Sequence, residues 1–419
     1  MKICLVRPSF GSYFQITPPL SLGYLSSSLK SNGCGDVGLI DSSLYKYSPR
    51  QTVEELLMTG GADVVGIQVY TGSQNWTKEF IEILRKNCPK VISVVGGSHI
   101  TALQQLALDY INPDFGILGE GEESLAKLVK FFEGKITDEK NVNGLMYRVK
   151  GKWRNAVEKY GFVKDVNNAP FPDWELLQPN NYFKYMQSVS MPLRGKRPVP
   201  ILTSKGCPYQ CTFCCSGATN RRIMRYRSPE NVIDEIQFLK NKYGVDEIFF
   251  SDDNLTMDIE RAKKIFSLMI ENKLNIHWRA PNGIRIDKID EELVEKMTGS
   301  GGYYVGVGIE SGNDEVIKRI KKNINLETVK GKVELFHKYK IKVSGFFMTG
   351  TLGETLSEAN DTLKFALAVP FDRIQVCNFV PYPGSQDFET IFNSKNRKKY
   401  EANVFLFQKF GKFRNFQRS

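Results

Sequence analysis

The chain has 419 residues, 41% hydrophobic and 25% charged, with 57 basic residues against 46 acidic for a net charge of +11. That length and balance allow two or three folded domains and exclude a chain too polar to bury a core. No apolar run reaches the ~20 residues that cross a bilayer, and MKICLVRPSF is too briefly apolar for a secretory signal, so the expectation is a cytoplasmic protein with reduced thiols.

Residues 1–135 alternate apolar, β-rich runs with amphipathic helical patterns. Strands are predicted at KICLVR, DVGLID, DVVGIQV, KVISVVGG and FGILGEG. Helices are predicted between them, at PLSLGYLSSSLKSNG, PRQTVEELLMTGG, NWTKEFIEILRKN and ITALQQLALDY. Continuous apolar strands joined by amphipathic helices imply a parallel sheet covered on both faces, a doubly wound Rossmann-like α/β domain. Its ligand crevice lies beyond the carboxyl ends of the strands. Pro18 follows the first strand, Tyr70, Thr71 and Gly72 the third, Gly96, Gly97, Ser98 and His99 the fourth, and Gly119, Glu120, Gly121 and Glu122 the fifth. Glycines in the last two loops would let a bulky ligand approach the backbone.

Residues 136–195 read as a connector, with a short hairpin in NVNGLMYRVKGKW and linker composition in NNAPFPDWELLQPNNY. Strand–helix alternation resumes over 196–385, with strands in PVPILTSKG, EIFFSDD, NIHWRA, YYVGVGIE, KVSGFFMTG and RIQVCNFVPY. Helices are expected at 229–242, 258–273, 290–298, 326–339 and 355–368. Six such units predict a parallel β/α barrel or part of one, with its chemistry at the carboxyl ends of the strands. Tyr303 and Tyr304 begin the fourth strand, at the opposite end, and read as packing. Residues 386–419 form a basic tail with interleaved aromatics, read as a helix packed on the domain; an RNA- or lipid-contacting tail is the alternative.

Four of the eight cysteines, Cys207, Cys211, Cys214 and Cys215, crowd into CPYQCTFCC after the first barrel strand. Structural zinc usually takes two separated pairs, and no second C-x2-C follows here. Cys377 stands alone in an apolar strand, and Cys215 directly follows Cys214, so the two cannot easily face one metal. Three ligands on one short loop suit an iron–sulfur cubane with one iron uncovered; zinc and a redox dithiol are the alternatives. Asp252, Asp253 and Asn254 end the second barrel strand, and Glu310 and Ser311 end the fourth. Each stretch also leads into a helix, where carboxylates cap; Asp258 and Glu354 are read that way.

CPYQCTFC resembles the signature of radical S-adenosylmethionine (SAM) enzymes, with the aromatic Phe213 before the last cysteine. The resemblance implies that Cys207, Cys211 and Cys214 hold a [4Fe–4S] cluster. The fourth iron would chelate SAM, and one electron would release a 5′-deoxyadenosyl radical. It also implies an electron donor of flavodoxin or ferredoxin type, and SAM contacts from Phe213, Asp252, Asn254, Glu310 and Ser311. One departure is GTLGET, where Leu352 stands in the family's proline position.

The preceding α/β domain, with PPLSLGYL, GGSH, GEGE and the linker APFPDWELL, is similar to radical SAM enzymes with an N-terminal cobalamin-binding domain. Many of these are C-methyltransferases in which one SAM supplies a methyl group through cobalamin and a second supplies the radical. The crevice residues from Pro18 to Glu122 named above would then face cobalamin. None of the three histidines, His99, His277 and His337, lies in a D-x-H-x-x-G motif, so cobalamin would bind without that lower ligand. The substrate would be a small molecule, lipid or peptide; nucleic acid is not expected. One alternative is a methylthiotransferase with a second cluster on Cys4, Cys34 and Cys88, although Cys4 lies inside the first strand and nothing β-rich follows residue 385. The other is a non-catalytic metal-binding sensor.

Overall fold

A computed structural model of the chain describes residues 1–9, 16–157, 160–186 and 191–392. They form two compact units, one of residues 1–185 with 218–221, the other of 186–217 with 222–388.

The first unit is built on one sheet of β1 (Lys2–Arg7), β2 (Asp36–Asp41), β3 (Val64–Gln68), β4 (Ile92–Gly96), β5 (Phe115–Ile117), β6 (Leu145–Val149) and β7 (Lys152–Asn155). The order is β2-β1-β3-β4-β5-β6-β7, with the first five strands parallel. Strand order reverses at β1, so the crevice predicted for such a sheet opens where β1 and β3 end. Ile3, Leu5, Val64 and Val94 pack against Leu125, Leu128 and Val129 of the helix Glu122–Phe132, which buries the apolar runs seen in sequence. The hairpin expected in the connector exists, but it extends this sheet: β6 pairs antiparallel with β5 through Gly116 and Met146.

The three cysteines of this unit do not converge. Cys4 sits within β1, its thiol pushed up to about 12 by desolvation. Cys34 lies in the turn leading into β2 and Cys88 in the turn leading into β4. Those strands are three sheet positions apart, about 14 Å at the usual strand spacing.

The second unit carries β8 (Pro198–Ile201), a two-stranded ribbon of β9 (Ser204–Lys205) and β10 (Arg225–Tyr226), then β11 (Glu247–Phe250), β12 (His277–Ile284), β13 (Gly302–Glu310), β14 (Lys342–Thr349) and β15 (Arg373–Asn378). Six strands form one parallel sheet, β15-β14-β13-β12-β11-β8, whose end strands do not pair: a partial barrel. The helices Pro229–Tyr243, Ile259–Glu271, Glu291–Gly299, Leu326–Lys338 and Leu356–Ala368 fall within two residues of the expected spans. Their starts are capped by side chains: Asp258 accepts from Arg261 N, and Thr355 with Glu358 forms a capping box. A further short helix, Asp314–Arg319, is capped by Asn313.

At the amino end of the strands Glu247 is fully buried, accepting from Arg194 N at 3.0 Å, from Gly195 N at 2.6 Å and from the Tyr303 hydroxyl. Arg279 lies 4.9 Å over both the Phe249 and Tyr304 rings. This plug fastens the incoming chain under the barrel, so Tyr303 and Tyr304 belong to packing. Residues 386–391 of the tail are helical, as Gln386–Ile391; the tail beyond residue 392 lies outside the described residues.

Candidate active site at the carboxyl ends of the strands

The cysteine loop leaves β8 through the β9–β10 ribbon. Cys214 N donates to Cys211 O at 3.2 Å, a turn that curls the loop on itself. The thiols of Cys207 and Cys211 both lie within electrostatic reach of Cys214. Burial pushes both thiols up, while Arg285 draws both down and Lys322 draws down Cys211. Burial and the neighbouring Cys214 push Cys215 up. Among the described residues no three side chains of His, Cys, Asp or Glu converge tightly enough to grip a single ion. Three thiols spread around one curled loop, with cations nearby, fit a cluster that brings its own sulfides and an excess of negative charge.

The loop is anchored by distant residues. Thr212 N donates to Ile320 O at 3.0 Å, Thr212 Oγ1 to Asp387 Oδ2 at 2.9 Å, and Asp387 N back to Thr212 O at 3.0 Å. Arg285 lies 3.8 Å over the ring of Tyr209, between the first two cysteines.

The residues expected to meet SAM divide into two groups. Asp252 is 2% exposed and accepts from Thr203 N at 3.1 Å, Thr203 Oγ1 at 2.8 Å and Ser204 Oγ at 2.5 Å. Burial raises its carboxyl despite those bonds. Those bonds tie the end of β11 to the strand that launches the cysteine loop, a positioning role beside the SAM contact expected from the sequence. Ser311 is similarly engaged: its hydroxyl, fully buried, pairs with Thr362 Oγ1 at 2.8 Å and accepts from Asn313 N at 3.2 Å. The remaining three are less fully engaged. Asn254 is buried with no partner on Oδ1, Glu310 pairs with Lys322 at 2.9 Å, and Phe213 is half-buried on the loop. Glu354, read as a cap, instead accepts from Gly350 N and from Thr351 N at 3.0 Å, closing the GTLGET turn.

In the first unit, Arg7 ends β1 and donates to Thr17 O at 2.6 Å and Asp41 Oδ2 at 3.3 Å. Asp41 also accepts from the Tyr182 hydroxyl at 2.6 Å, so the loop carrying the buried Pro18 is pinned to the end of β2. After β3, Tyr70 and Gly72 are exposed, and Thr71 Oγ1 lies 3.2 Å from His99 Nδ1. His99 is 1% exposed and burial pushes it down to about 4, so it is neutral; its Nε2 has no partner. A Cβ on Gly96 would meet Ile117 O only at an ordinary 3.6 Å. Gly97 has φ +105°, and a Cβ there would meet Val69 O at 2.7 Å, just before the helix Ser98–Leu103.

The GEGE loop is packed against the chain's own segment 161–163. Gly119 has φ +85° and its Cβ would fall 2.4 Å from Gly161 O. Glu120 N donates to Gly161 O at 2.9 Å, and Glu120 Oε2 accepts from Val163 N at 2.6 Å. The chain's own segment 161–163 thus occupies Gly119 and Glu120, while a Cβ on Gly121 would meet Leu25 at 3.0 Å and Glu122 O accepts from Ser28 Oγ at 2.7 Å. Beside the loops after β3 and β4 the unpartnered imidazole nitrogen of His99 suits a ligand that carries its own amides.

The family model for the Radical SAM superfamily matches residues 201–366, and that for the B12 binding domain matches 7–129. An uncharacterized methyltransferase of Pyrococcus horikoshii is 30% identical over 395 residues, covering 93% of this chain and 83% of that protein. The chain belongs to the radical SAM superfamily. Within it, the B12-binding domain marks the cobalamin-dependent branch, which works with a [4Fe–4S] cluster, SAM and cobalamin. The cytidylyl-2-hydroxyethylphosphonate methyltransferase of Streptomyces wedmorensis is 28% identical over 433 residues, 92% of this chain and 80% of that one. TsrM of Kitasatospora setae, a radical SAM methyltransferase solved with cobalamin and a [4Fe–4S] cluster, shares the fold at a TM-score of 0.76 and 17% identity, over 94% of this chain and 79% of TsrM. Sequence reasoning missed Thr203, Ser204, Arg285 and Lys322 at this radical SAM site. None is part of the C-x3-C-x2-C spacing; Thr203 and Ser204 precede the loop in sequence, whereas only the fold brings Arg285 and Lys322 to it.

Proposed function

We propose that the protein methylates an unactivated carbon of a small molecule, lipid or peptide, using cobalamin and two molecules of SAM. The observation that carries this reading is the curled loop of Cys207, Cys211 and Cys214 at the carboxyl end of a partial barrel, in a chain whose first unit is a B12-binding domain. The methyltransferase names of the two relatives support the choice of methyl transfer.

The three thiolates would hold the cluster and leave one iron for SAM. Bound there, the cluster supplies one electron to the SAM sulfonium, and cobalamin supplies methyl transfer. Asn254, through its unpartnered Oδ1, and Glu310 would orient SAM, with Phe213 packing beside the last ligand. Asp252 and Ser311 hold the strand ends that present them. In the first unit Thr71, Gly97 and His99 would face the corrin. The substrate would give one hydrogen atom to the 5′-deoxyadenosyl radical and take a methyl group, so each turnover would yield methionine and 5′-deoxyadenosine from one SAM and S-adenosylhomocysteine from the other. Two electrons are needed per turnover, one for cleavage of SAM and one to make cobalamin competent for the next methyl group, and a reduced one-electron donor would deliver both.

Anaerobic reconstitution with iron, sulfide and hydroxocobalamin, followed by metal analysis, tests the reading. About four irons and one cobalt per chain are expected. Methyl-labelled SAM then reports the acceptor. Iron without cobalt would leave a radical SAM enzyme and remove the methylation claim.

A further inference from the structure

Two buried cations stand against the cysteine loop. Lys322 has a side chain only 13% exposed and pairs with Glu310 at 2.9 Å. Arg285 donates to Lys322 O at 3.0 Å and Asn323 O at 2.7 Å, grips Asp287 through two oxygens at 2.9 and 3.3 Å, and stacks on Tyr209. The turn that carries Lys322 is docked on the loop through Thr212 N and Ile320 O. Its backbone is forced: Lys321 and Asn323 have φ of +54° and +52°, and Glu310 has +74°. Such values cost free energy in non-glycine residues and persist where surroundings over-determine them. Room for the ion pair is made by Gly308, where a Cβ would lie 2.6 Å from Glu310 Oε1 and 2.8 Å from Lys322 Nζ.

We propose that Lys322 and Arg285 form a cation seat beneath the cysteine loop, which positions the loop and raises the reduction potential of the cluster it holds. These are positioning residues, and the inference rests on the cluster reading above. Each cation keeps a carboxylate partner, but it is the cations' own elements that touch the loop: Arg285 stacks on Tyr209, and the turn carrying Lys322 is bonded to Thr212. Reduction adds an electron to a cluster already rich in thiolate and sulfide charge. A buried cation beside it stabilises the reduced form, and low solvent access keeps that field from being screened. Arg285 serves the geometry as well, because its planar fork binds two carbonyls and one carboxylate while its face covers Tyr209.

The test uses the full-length protein, reconstituted anaerobically, with iron counted and the cluster potential measured by an EPR-monitored redox titration. Lys322→Met should keep its iron yet show about tenfold less reduced cluster at a fixed potential, or about 59 mV for a one-electron couple. Lys322→Arg should restore most of that loss. Glu310→Gln should move the potential the other way, because it leaves Lys322 uncompensated. If Lys322→Met loses iron while its circular dichroism is unchanged and Lys322→Arg regains it, the positioning half of the proposal is supported. Unmoved potentials in iron-loaded Lys322→Met and Glu310→Gln would overturn the proposal and leave the cluster reading intact. A wild-type chain that takes up no iron would instead sink the cluster reading itself.

Discussion

His99 makes a sharp pH prediction. Its imidazole is 1% exposed, and burial brings it from the usual 6.5 to about 4. Between those values the unfolded chain binds a proton that the folded chain refuses. Stability is therefore full above pH 6.5, falls as pH drops towards about 4, and levels off below. At 1.36 kcal/mol for each pH unit the whole effect is about 3 kcal/mol, of which about 2 kcal/mol is lost by pH 5. The comparison is His99→Met, which keeps an apolar body and removes the titration. Urea unfolding at pH 7, 6 and 5 can be followed by tryptophan fluorescence, because Trp76, Trp153 and Trp174 all lie in the first unit and only Trp278 in the second. Wild type should lose about 2 kcal/mol relative to the variant between pH 7 and pH 5. Parallel pH profiles for the two proteins would mean that His99 protonates freely in the fold, and the buried neutral imidazole would be refuted.

Cys214→Ala should strip the cluster on reconstitution, whereas Cys215→Ala should retain full iron and its visible absorbance; equal loss in both would make Cys215 a ligand. Asp252→Asn should weaken iron retention without unfolding the barrel, since it puts amide hydrogens against the hydroxyl and amide donors of Thr203 and Ser204; iron content after desalting is the measure. Glu247→Ala leaves two backbone amides and the Tyr303 hydroxyl without their acceptor, so it should cost about 3 kcal/mol and lower the melting temperature of the second unit on the order of 10 °C. Calorimetry showing an unchanged transition would contradict the plug. Gly119→Ala, at φ +85° and 2.4 Å from Gly161 O, should destabilise the first unit by about 2 kcal/mol or more, read as increased hydrogen exchange in β5 and in the segment 160–163.

Most of the architecture was legible because parallel strands buried on both faces must be written as continuous apolar runs, and their covering helices as amphipathic ones. EIFF, YYVGVGIE and the helix starting at Pro229 show this plainly. The ribbon β9–β10 was not legible, since two-residue strands hold no period. The packing of the GEGE loop was hidden for a related reason. A glycine that yields to a cofactor and a glycine that yields to Gly161 look the same in one dimension, and their pairing spans about forty residues. The site followed the same division. Cys207, Cys211 and Cys214 advertise themselves by spacing, whereas Lys322 reaches the loop only because a strained turn is docked on Thr212. Asp252 and Ser311 stand where ligands are expected, and only their bonding partners show that they hold the backbone.

The bonds from Thr212 to Asp387 join residues 175 positions apart. At ~5–20 residues per second a ribosome needs roughly ten to thirty-five seconds to travel from one to the other. Throughout that interval the cysteines have left the exit tunnel ahead of the residues that will clamp their loop. Metal capture before the clamp closes would fix thiols whose backbone is still free to misplace them. The loop can reach its clamped form only once residue 387 has been made, so the geometry of the three thiols depends on the far end of the barrel.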